Sequence, residues 1–192
     1  MSYIKENINL KIDKVSIRRP LQEDINFISQ LWQDERTMAD VGGTVDYSPS
    51  QMKEWFNRIM DKNNISDNFF IIFADSEFAG EISFHRYSVD DNTADFNIKI
   101  LNNLRGNGYS SKAMQCFFYY VFEIIKLNAL YDELYSDNKR GINALGKMGF
   151  KIISENENTV KMKLTREDYL LVLRDDTFCQ YFYTSTPFLL LL

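Results

Sequence analysis

The sequence LRGNGYSS at residues 104–111 separates a predicted strand from a predicted long helix. Its two glycines let the backbone turn so that successive N–H groups point inward. A helix that starts at Ser110 or Ser111 adds N–H donors without partners and the positive end of the helix dipole. Arg105 adds a full charge with the fork geometry of a guanidinium. The stretch therefore predicts a cradle for a pyrophosphate or similar anion; a flexible turn before an ordinary helix cap is the alternative.

Two common phosphate-binding motifs do not fit this stretch. The Rossmann fingerprint G-x-G-x-x-G needs a third glycine, and the chain has Ser111 at that position. The P-loop needs a final glycine followed by Lys and then Ser or Thr, whereas Gly108 is followed by Tyr109. The stretch therefore indicates neither a dinucleotide-binding fold nor a P-loop nucleoside triphosphatase.

The segments around residues 104–111 predict a mixed sheet with helices. Residues 94–100 alternate apolar and polar side chains, as a strand does, and residues 114–125 have apolar positions at helical spacing. A nearly continuous apolar run at residues 69–74 predicts a strand covered on both faces, and residues 78–86 complete a hairpin with it. Other strands are predicted at residues 15–19, 130–136, 151–154 and 159–164.

Three further helices complete the prediction. The first has apolar residues at helical spacing from Leu21 to Trp32, and the second starts with a capping box between Ser48 and Gln51. The third is short, spans residues 140–148 and is closed by Gly149 at its C-cap. This order of elements predicts an α+β fold.

Composition and charge narrow the classes of function. Of the 192 residues, 45% are hydrophobic and 15% are aromatic. This suits one domain, predicted at residues 1–165, with an aromatic-rich appendage at residues 166–192 that packs on the domain or at a dimer interface. A net charge of −5 argues against a nucleic-acid binder and mildly favours cationic partners.

Cysteine and histidine are scarce. The chain has two cysteines, Cys116 and Cys179, and one histidine, His85, which are too few for a structural zinc site or a disulfide framework. We expect all three to be structural rather than catalytic. The sequence contains no signal-peptide segment and no apolar run long enough to span a bilayer. We therefore expect a cytoplasmic protein with no metal and no nucleic-acid or membrane partner.

Several motifs together resemble the GNAT superfamily of acyl-CoA-dependent N-acetyltransferases. Residues 105–110 (RGNGYS) match the family's Q/R-x-x-G-x-G/A motif, except that serine replaces the last small residue. Residues 17–21 (IRRPL), with Glu23 and Asp24, look like the opening strand and helix of its RimJ/RimL-like branch, and residues 78–84 (FAGEISF) look like the third strand of that branch. Asn138 with residues 147–150 (KMGF) looks like the closing signature of that branch. The resemblance spans most of the chain in consistent order.

The resemblance implies a GNAT fold, with a mixed, mostly antiparallel central sheet splayed between its fourth and fifth strands. It also implies acetyl-CoA as co-substrate, with the pantetheine arm pairing along the backbone of Ile98, Lys99 and Ile100 in the splay. Asn138 is expected to reach the cofactor from the end of the fifth strand. The diphosphate is expected on the backbone of Arg105, Gly106, Asn107, Gly108, Tyr109, Ser110 and Ser111.

The reaction implied is direct attack of a primary amine on the thioester, with a backbone N–H near Ile98 stabilising the oxyanion. Asp95 on the fourth strand is the expected proton acceptor, and Glu81 on the third strand is the alternative; either is also explained as a solvent-exposed strand carboxylate. Leu145 stands where many members have tyrosine, and Gly141 where the branch often has serine. A dedicated general acid is therefore in doubt, and Tyr109 or Tyr135 would have to substitute.

Three hypotheses about function remain open at this level. The first is an N-acetyltransferase whose acceptor is either a protein N-terminus, which the branch resemblance favours, or a small cationic amine. An acidic rim would suit the second acceptor, and its candidate members are Asp34, Glu35, Asp40 and Asp46. The alternative to an enzyme is a sensor that binds acyl-CoA without turnover. The third hypothesis is an interaction protein that forms homodimers through residues 166–192.

Overall fold

The computed structural model describes residues 8–174, which form one eight-stranded sheet flanked by helices. The strands are β1 (Asn9–Ile12), β2 (Val15–Arg18), β3 (Asn68–Ala74), β4 (Glu77–Ser88), β5 (Thr93–Ile100), β6 (Ala129–Tyr135), β7 (Lys151–Glu155) and β8 (Thr159–Thr165). Their order is β1-β2-β3-β4-β5-β6-β8-β7. All neighbours are antiparallel except β5 and β6, which are parallel. The predicted mixed, mostly antiparallel sheet is confirmed.

The helices are α1 (Ile25–Gln33), α2 (Glu35–Met38), α3 (Pro49–Met60), α4 (Tyr109–Tyr119), α5 (Lys139–Lys147) and α6 (Arg166–Arg174). The capping box predicted for α3 is present. Ser48 Oγ accepts a hydrogen bond from the Gln51 N–H at 3.4 Å, and Gln51 Oε1 accepts one from the Ser48 N–H at 2.8 Å. Within residues 8–174, no helix combines the length and the apolar character that a membrane crossing requires.

Two local features differ from the predictions. Strand β1 was not expected, although Ile8, Leu10 and Ile12 alternate with polar residues over this short stretch; in the structure all three are buried, and β1 forms a hairpin with β2. The predicted start of α1 at Leu21 is wrong, because Leu21 is 43% exposed and the next residues form a 3₁₀ turn. The buried Asp24 ends that turn by binding Arg18 at 2.6 Å.

The sheet is covered on both faces, and each face has its own apolar core. One core packs α4 on the sheet, with Phe117 lying between Phe70 and Phe96. The other core packs α1 and α3, where Trp32 and Trp55 meet edge to face at 4.8 Å. Strand β3 is buried along nearly its whole length, as its apolar run predicts. Because helices cover both faces, a ligand can reach the sheet only at its edges or where two of its strands separate.

That gap lies between the two parallel strands. Residues 93–95 of β5 pair with residues 129–131 of β6, and Asp95 with Tyr131 is the last paired rung. Beyond it the strands part, while β5 remains paired with β4 as far as Ile100. Among the described residues, no strand therefore pairs with the far edge of β5 over residues 96–100. Five strand steps correspond to about 17 Å of open edge.

The C-terminal helix α6 begins where the sequence predicts a capped start. Thr165 Oγ1 accepts a hydrogen bond from the Asp168 N–H at 3.0 Å and donates one to Asp168 Oδ2 at 2.7 Å. Tyr169 is buried and stacks on Phe122 with ring centroids 5.0 Å apart. Residues 166–174 therefore pack on the domain. The rest of the predicted appendage, residues 175–192, lies outside the described residues.

Candidate active site

A cavity of about 480 Å³ occupies the gap between β5 and β6. It runs from the point where the two strands part to the start of α4, and α5 and the loop after α2 form further walls. Of the residues predicted to bind the cofactor, the ones that line it are Ile98, Lys99, Ile100, Arg105, Gly106, Tyr109, Ser110 and Asn138. Asn107, Gly108 and Ser111 belong to the same loop and helix start but do not line the cavity. One continuous space thus joins most of the predicted binding residues.

The loop before α4 has the conformation of an anion cradle. Gly106 and Gly108 have φ of +86° and +77°, in the left-handed region that favours glycine. Helix α4 begins at Tyr109, one residue before the earlier of the two predicted starts, and no side chain caps it. Within the described residues, the backbone N–H groups of residues 106–111 have no hydrogen-bond acceptor. Free N–H donors at a helix start bind anions.

The Arg105 side chain is engaged by protein groups. Its guanidinium donates to Asp40 Oδ2 at 2.7 Å, to the Thr37 carbonyl at 2.8 Å and to the Ile100 carbonyl at 3.2 Å. Sequence reasoning expected this charge to act on the anion directly. In the structure, Arg105 instead connects the end of β5 to α2 and the loop that follows it. Its charge is largely neutralised by Asp40.

Asn138 lies at the far wall and caps α5. Its Oδ1 accepts a hydrogen bond from the Gly141 N–H at 2.8 Å. A Cβ on Gly141 would lie 2.7 Å from both Asn138 Nδ2 and Leu134 Cδ2, closer than side chains pack. A larger residue at position 141 would therefore have to displace the capping amide of Asn138 and the side chain of Leu134.

Neither predicted catalytic carboxylate lines the cavity. Glu81 is fully buried, forms an ion pair with Lys99 and accepts a hydrogen bond from Trp32 Nε1 at 2.8 Å. The expectation that Glu81 is solvent-exposed is therefore wrong, because β4 lies in the middle of the sheet under α1. Asp95 is partly exposed and forms an ion pair with Arg86. Both side chains serve first as counter-ions, and a catalytic role for either stays a prediction.

A third carboxylate, Asp132 on β6, does line the cavity. The pKa of Asp132 is raised to about 7, chiefly by burial and also by the nearby charge of Asp95, although the Glu133 N–H and Lys99 act to lower it. Sequence reasoning missed this residue. The available signal was the alternation of Leu130, Asp132 and Leu134, which places a carboxylate between two apolar residues on one face of a strand.

The charges that line the cavity are unevenly paired. Three cations are neutralised, since Arg86 binds Asp95, Lys99 binds Glu81 and Arg105 binds Asp40. Within residues 8–174, the lining residues Asp132, Glu133 and Arg140 form no ion pair. The two unpaired carboxylates are adjacent on β6, and the unpaired arginine lies in α5. The end of the cavity where the strands part therefore carries a net negative charge.

The other predicted chemical groups are engaged or shielded. Tyr109 donates to Asp75 Oδ2 at 3.0 Å, and this contact raises the pKa of Tyr109. His85 lies between Ser83 Oγ and Asp67 Oδ1, at 2.9 and 3.3 Å, away from the cavity. Burial raises the pKa of the Cys116 thiol to about 12, so it is no nucleophile at neutral pH.

Other predicted positions are less informative. Cys179 lies outside the described residues. Tyr135 lines the cavity, is 48% exposed and thus remains open to solvent. Leu145, at the position where many GNAT members have tyrosine, is buried and lines the cavity. Residues 8–174 contain no group of His, Cys, Asp or Glu side chains with a metal-binding arrangement.

Comparison with known proteins agrees with this geometry. A family model described as an acetyltransferase (GNAT) domain matches residues 14–151. A spermidine N(1)-acetyltransferase of Escherichia coli strain K12 is 24% identical over 175 residues, covering 79% of this chain and 87% of that protein.

Two solved structures illustrate the likeness in fold. One is a spermidine N-acetyltransferase from Vibrio cholerae in complex with CoA and spermine, with a TM-score of 0.74, 18% identity, and coverage of 82% of this chain and 98% of that chain. The other is a GNAT-family acetyltransferase from Bacillus anthracis, with a TM-score of 0.68, 17% identity, and coverage of 83% and 99%.

Proposed function

Because the chain belongs to the GNAT family of acetyltransferases and is thus an acetyl-CoA-dependent N-acetyltransferase, we propose that its acceptor is a small polycationic amine of the spermidine class. Membership of this family favours an enzyme over the acyl-CoA sensor that the sequence left open. The observation that carries the proposal is the charge of the cavity: within residues 8–174, the cations near the parting of the strands are neutralised and two adjacent carboxylates form no ion pair.

The residues present fit acetyl-CoA. The unpartnered N–H groups of residues 106–111 suit its diphosphate, and the open edge of β5 suits an extended amide-bearing arm that pairs as a strand does. Arg140, without an ion-pair partner in the described chain, offers a further contact for phosphate. When bound, acetyl-CoA supplies the activated acetyl group.

The acceptor end of the cavity favours a cation. Asp132 and Glu133 are consecutive residues of β6 at the point where β5 and β6 part, and a polyamine carries more than one ammonium group, so it can bring a positive charge for each of the two carboxylates. The relatives in E. coli and V. cholerae are named for spermidine, which agrees with this charge. Of the acidic rim expected from sequence, only Asp40 lines the cavity, and it is paired with Arg105.

A protein N-terminus is the second candidate acceptor. It is supported by the RimJ/RimL-like motifs at residues 17–21, 78–84 and 147–150. An N-terminal α-amine brings a single positive charge, so it would leave one of the two carboxylates without a counter-charge. We therefore rank it below the polyamine.

An amine panel tests the acceptor. The purified chain is mixed with acetyl-CoA and with spermidine, spermine, butylamine or a lysine-free peptide with a free N-terminus, and release of free thiol is followed. We expect kcat/KM for spermidine to exceed that for butylamine and for the peptide at least about tenfold. We also expect the KM values for spermidine and spermine to rise with salt more than that for butylamine, because ions screen the attraction of a polycation. A peptide that matches or exceeds spermidine would contradict the proposal.

Replacement of Gly108 tests the cradle. An alanine forced into the left-handed conformation costs about 1–2 kcal/mol, so Gly108→Ala should turn the loop and misdirect its N–H groups. We expect the Kd for coenzyme A, measured by calorimetry, to rise about tenfold. The control is Gly146→Ala, in an exposed part of α5 with open space around it, which should leave the Kd unchanged. An intact Gly108→Ala protein with unaltered affinity would place the diphosphate elsewhere.

Two further parts of the proposal concern the setting of the enzyme. We propose that it works in the cytoplasm, where a buried free thiol such as that of Cys116 stays reduced. We also keep homodimerisation through residues 166–192 as a prediction. The packing of residues 166–174 on the domain leaves residues 175–192 as the part that such an interface would use.

A further inference from the structure

We propose that the carboxylate of Asp132 takes the proton from the acceptor ammonium before the amine attacks the thioester. The inference deepens the proposed function, on which it rests, by assigning a residue to the first step. In that step the N–H bond of the ammonium breaks and an O–H bond forms on Asp132. The nitrogen then forms its bond to the acetyl carbon as the C–S bond breaks, and the electron pair of that bond leaves with sulfur. The second proton of the nitrogen neutralises the thiolate, and Asp132 returns its proton to water.

The position of Asp132 in the sheet is the main argument. The last rung that joins the two parallel strands is Asp95 with Tyr131, and Asp132 is the next residue of β6. It therefore stands at the point where β5 and β6 part, and its side chain lines the cavity there together with Asn97 and Lys99.

The direction of the cavity places the reactive end of the substrate at the same point. The anion cradle follows the C-terminal end of β5, whereas the strands part near the N-terminal end of that strand. An arm that is anchored by its diphosphate at residues 106–111 and lies along the open edge of β5 must point its free end toward the parting of the strands. Asp132 is the carboxylate that this end approaches.

The charged groups that face Asp132 come from several elements. Strand β5 contributes Asp95 and Lys99, β4 contributes Arg86, and the neighbouring residue on β6 is Glu133. Lys99 and Arg86 are held by Glu81 and Asp95, respectively. The more distant lining charges are Asp40, Arg105 and Arg140. None of these cations forms an ion pair with Asp132 in residues 8–174, so its carboxylate is free to receive a proton.

Other proton acceptors that line the cavity fit the role less well. Asp40 is bound to Arg105, Tyr109 is bound to Asp75, and Glu133 and Tyr135 are exposed to solvent. No histidine or cysteine from the described part of the chain lines the cavity. Burial and Asp95 bring the pKa of Asp132 to about 7, which closes roughly half of the gap between an ordinary carboxyl group and an alkylamine. A base of this strength is well matched to neutral pH.

The pH dependence of kcat/KM in three variants tests the inference, with whichever amine the wild-type enzyme turns over best. Asp132→Asn should lower kcat about 10²–10⁴-fold and remove the acidic limb near pH 7, with an unchanged Kd for acetyl-CoA by calorimetry. Asp95→Asn removes a like charge, so it should move the acidic limb to lower pH rather than abolish it. Glu155→Gln, an exposed change on β7, should leave rate and limb as in wild type.

The outcomes separate this inference from the proposed acceptor. If Asp132→Asn keeps the wild-type rate and limb, the inference is overturned. If Asp95→Asn abolishes the limb and Asp132→Asn does not, Asp95 is the proton acceptor. If a peptide replaces spermidine as the best acceptor but Asp132→Asn behaves as expected with it, the acceptor class is wrong and the role of Asp132 stands. Far-ultraviolet circular dichroism and the retained acetyl-CoA affinity show that each variant is folded.

Discussion

Gly80→Ala should remove at least about 4 kcal/mol from the free energy of unfolding, a large part of the 5–15 kcal/mol that a domain typically has. A Cβ at position 80 would lie 2.0 Å from the carbonyl oxygen of Lys99 and 3.1 Å from Cα of Ile100. Both atoms belong to the backbone of β5, which cannot rotate away as a side chain can. The strand would have to leave β4 at the rung where Gly80 pairs with Ile100.

Urea unfolding measures this change, and Gly43→Ala is the control. Gly43 has a φ of +92° and open space around it, so its replacement tests backbone preference without a collision and should cost about 1–2 kcal/mol. The added methyl group of Gly80→Ala would also displace β5, whose far edge borders the cavity. We therefore expect any folded fraction of this variant to bind coenzyme A weakly. If Gly80→Ala lowers the free energy of unfolding no more than Gly43→Ala does, β5 can shift away from position 80 at little cost.

Lys99→Met should destabilise the protein by about 3–5 kcal/mol, because it leaves the carboxylate of Glu81 without its cation in a dry environment. The side chains of this pair are 11% and 1% exposed. A second pair, Arg86 with Asp95, joins the same two strands, but its side chains are 82% and 33% exposed. Arg86→Met should therefore cost no more than about 1 kcal/mol.

The double variant Lys99→Met, Glu81→Gln completes this comparison. Glutamine keeps an acceptor for the indole N–H of Trp32 and carries no charge, so most of the lost stability should return. Thermal or urea unfolding of the wild type, Lys99→Met, Glu81→Gln and the double variant gives the coupling between positions 99 and 81. Equal losses in Lys99→Met and Arg86→Met would show that burial does not strengthen this pair.

The sequence predicts those parts of the fold that depend on local patterns. The capping box of α3, the alternation of β5 and the apolar run of β3 are each visible within about ten residues, and the structure confirms them. Strand β1 also has a local pattern, the alternation of Ile8, Leu10 and Ile12, but it is only four residues long, and its pairing with β2 establishes it as a strand.

The candidate site is less predictable, because it depends on contacts between distant segments. The glycine loop before α4 is recognisable from its own residues, whereas Arg105 finds Asp40 across 65 positions of sequence. Glu81 is buried because α1 lies over β4, and this cannot be read from the residues of β4. Asp132 becomes important through the rung at which two parallel strands part, and neither strand marks that rung in its sequence.

The carboxyl group at the parting of the strands has a thermodynamic consequence for the whole chain. A group that holds its proton more tightly in the folded chain than in the unfolded one makes folding less favourable as pH rises. Burial raises the pKa of Asp132 from 3.8 to about 7, so the resulting loss of folding stability is absent in acid, grows as the pH rises between the two values and reaches about 4 kcal/mol in mild alkali. Asparagine at position 132 has the same shape and no titrating group, so it would give a more stable but inactive protein. The aspartate that the chain retains there lowers stability in exchange for activity.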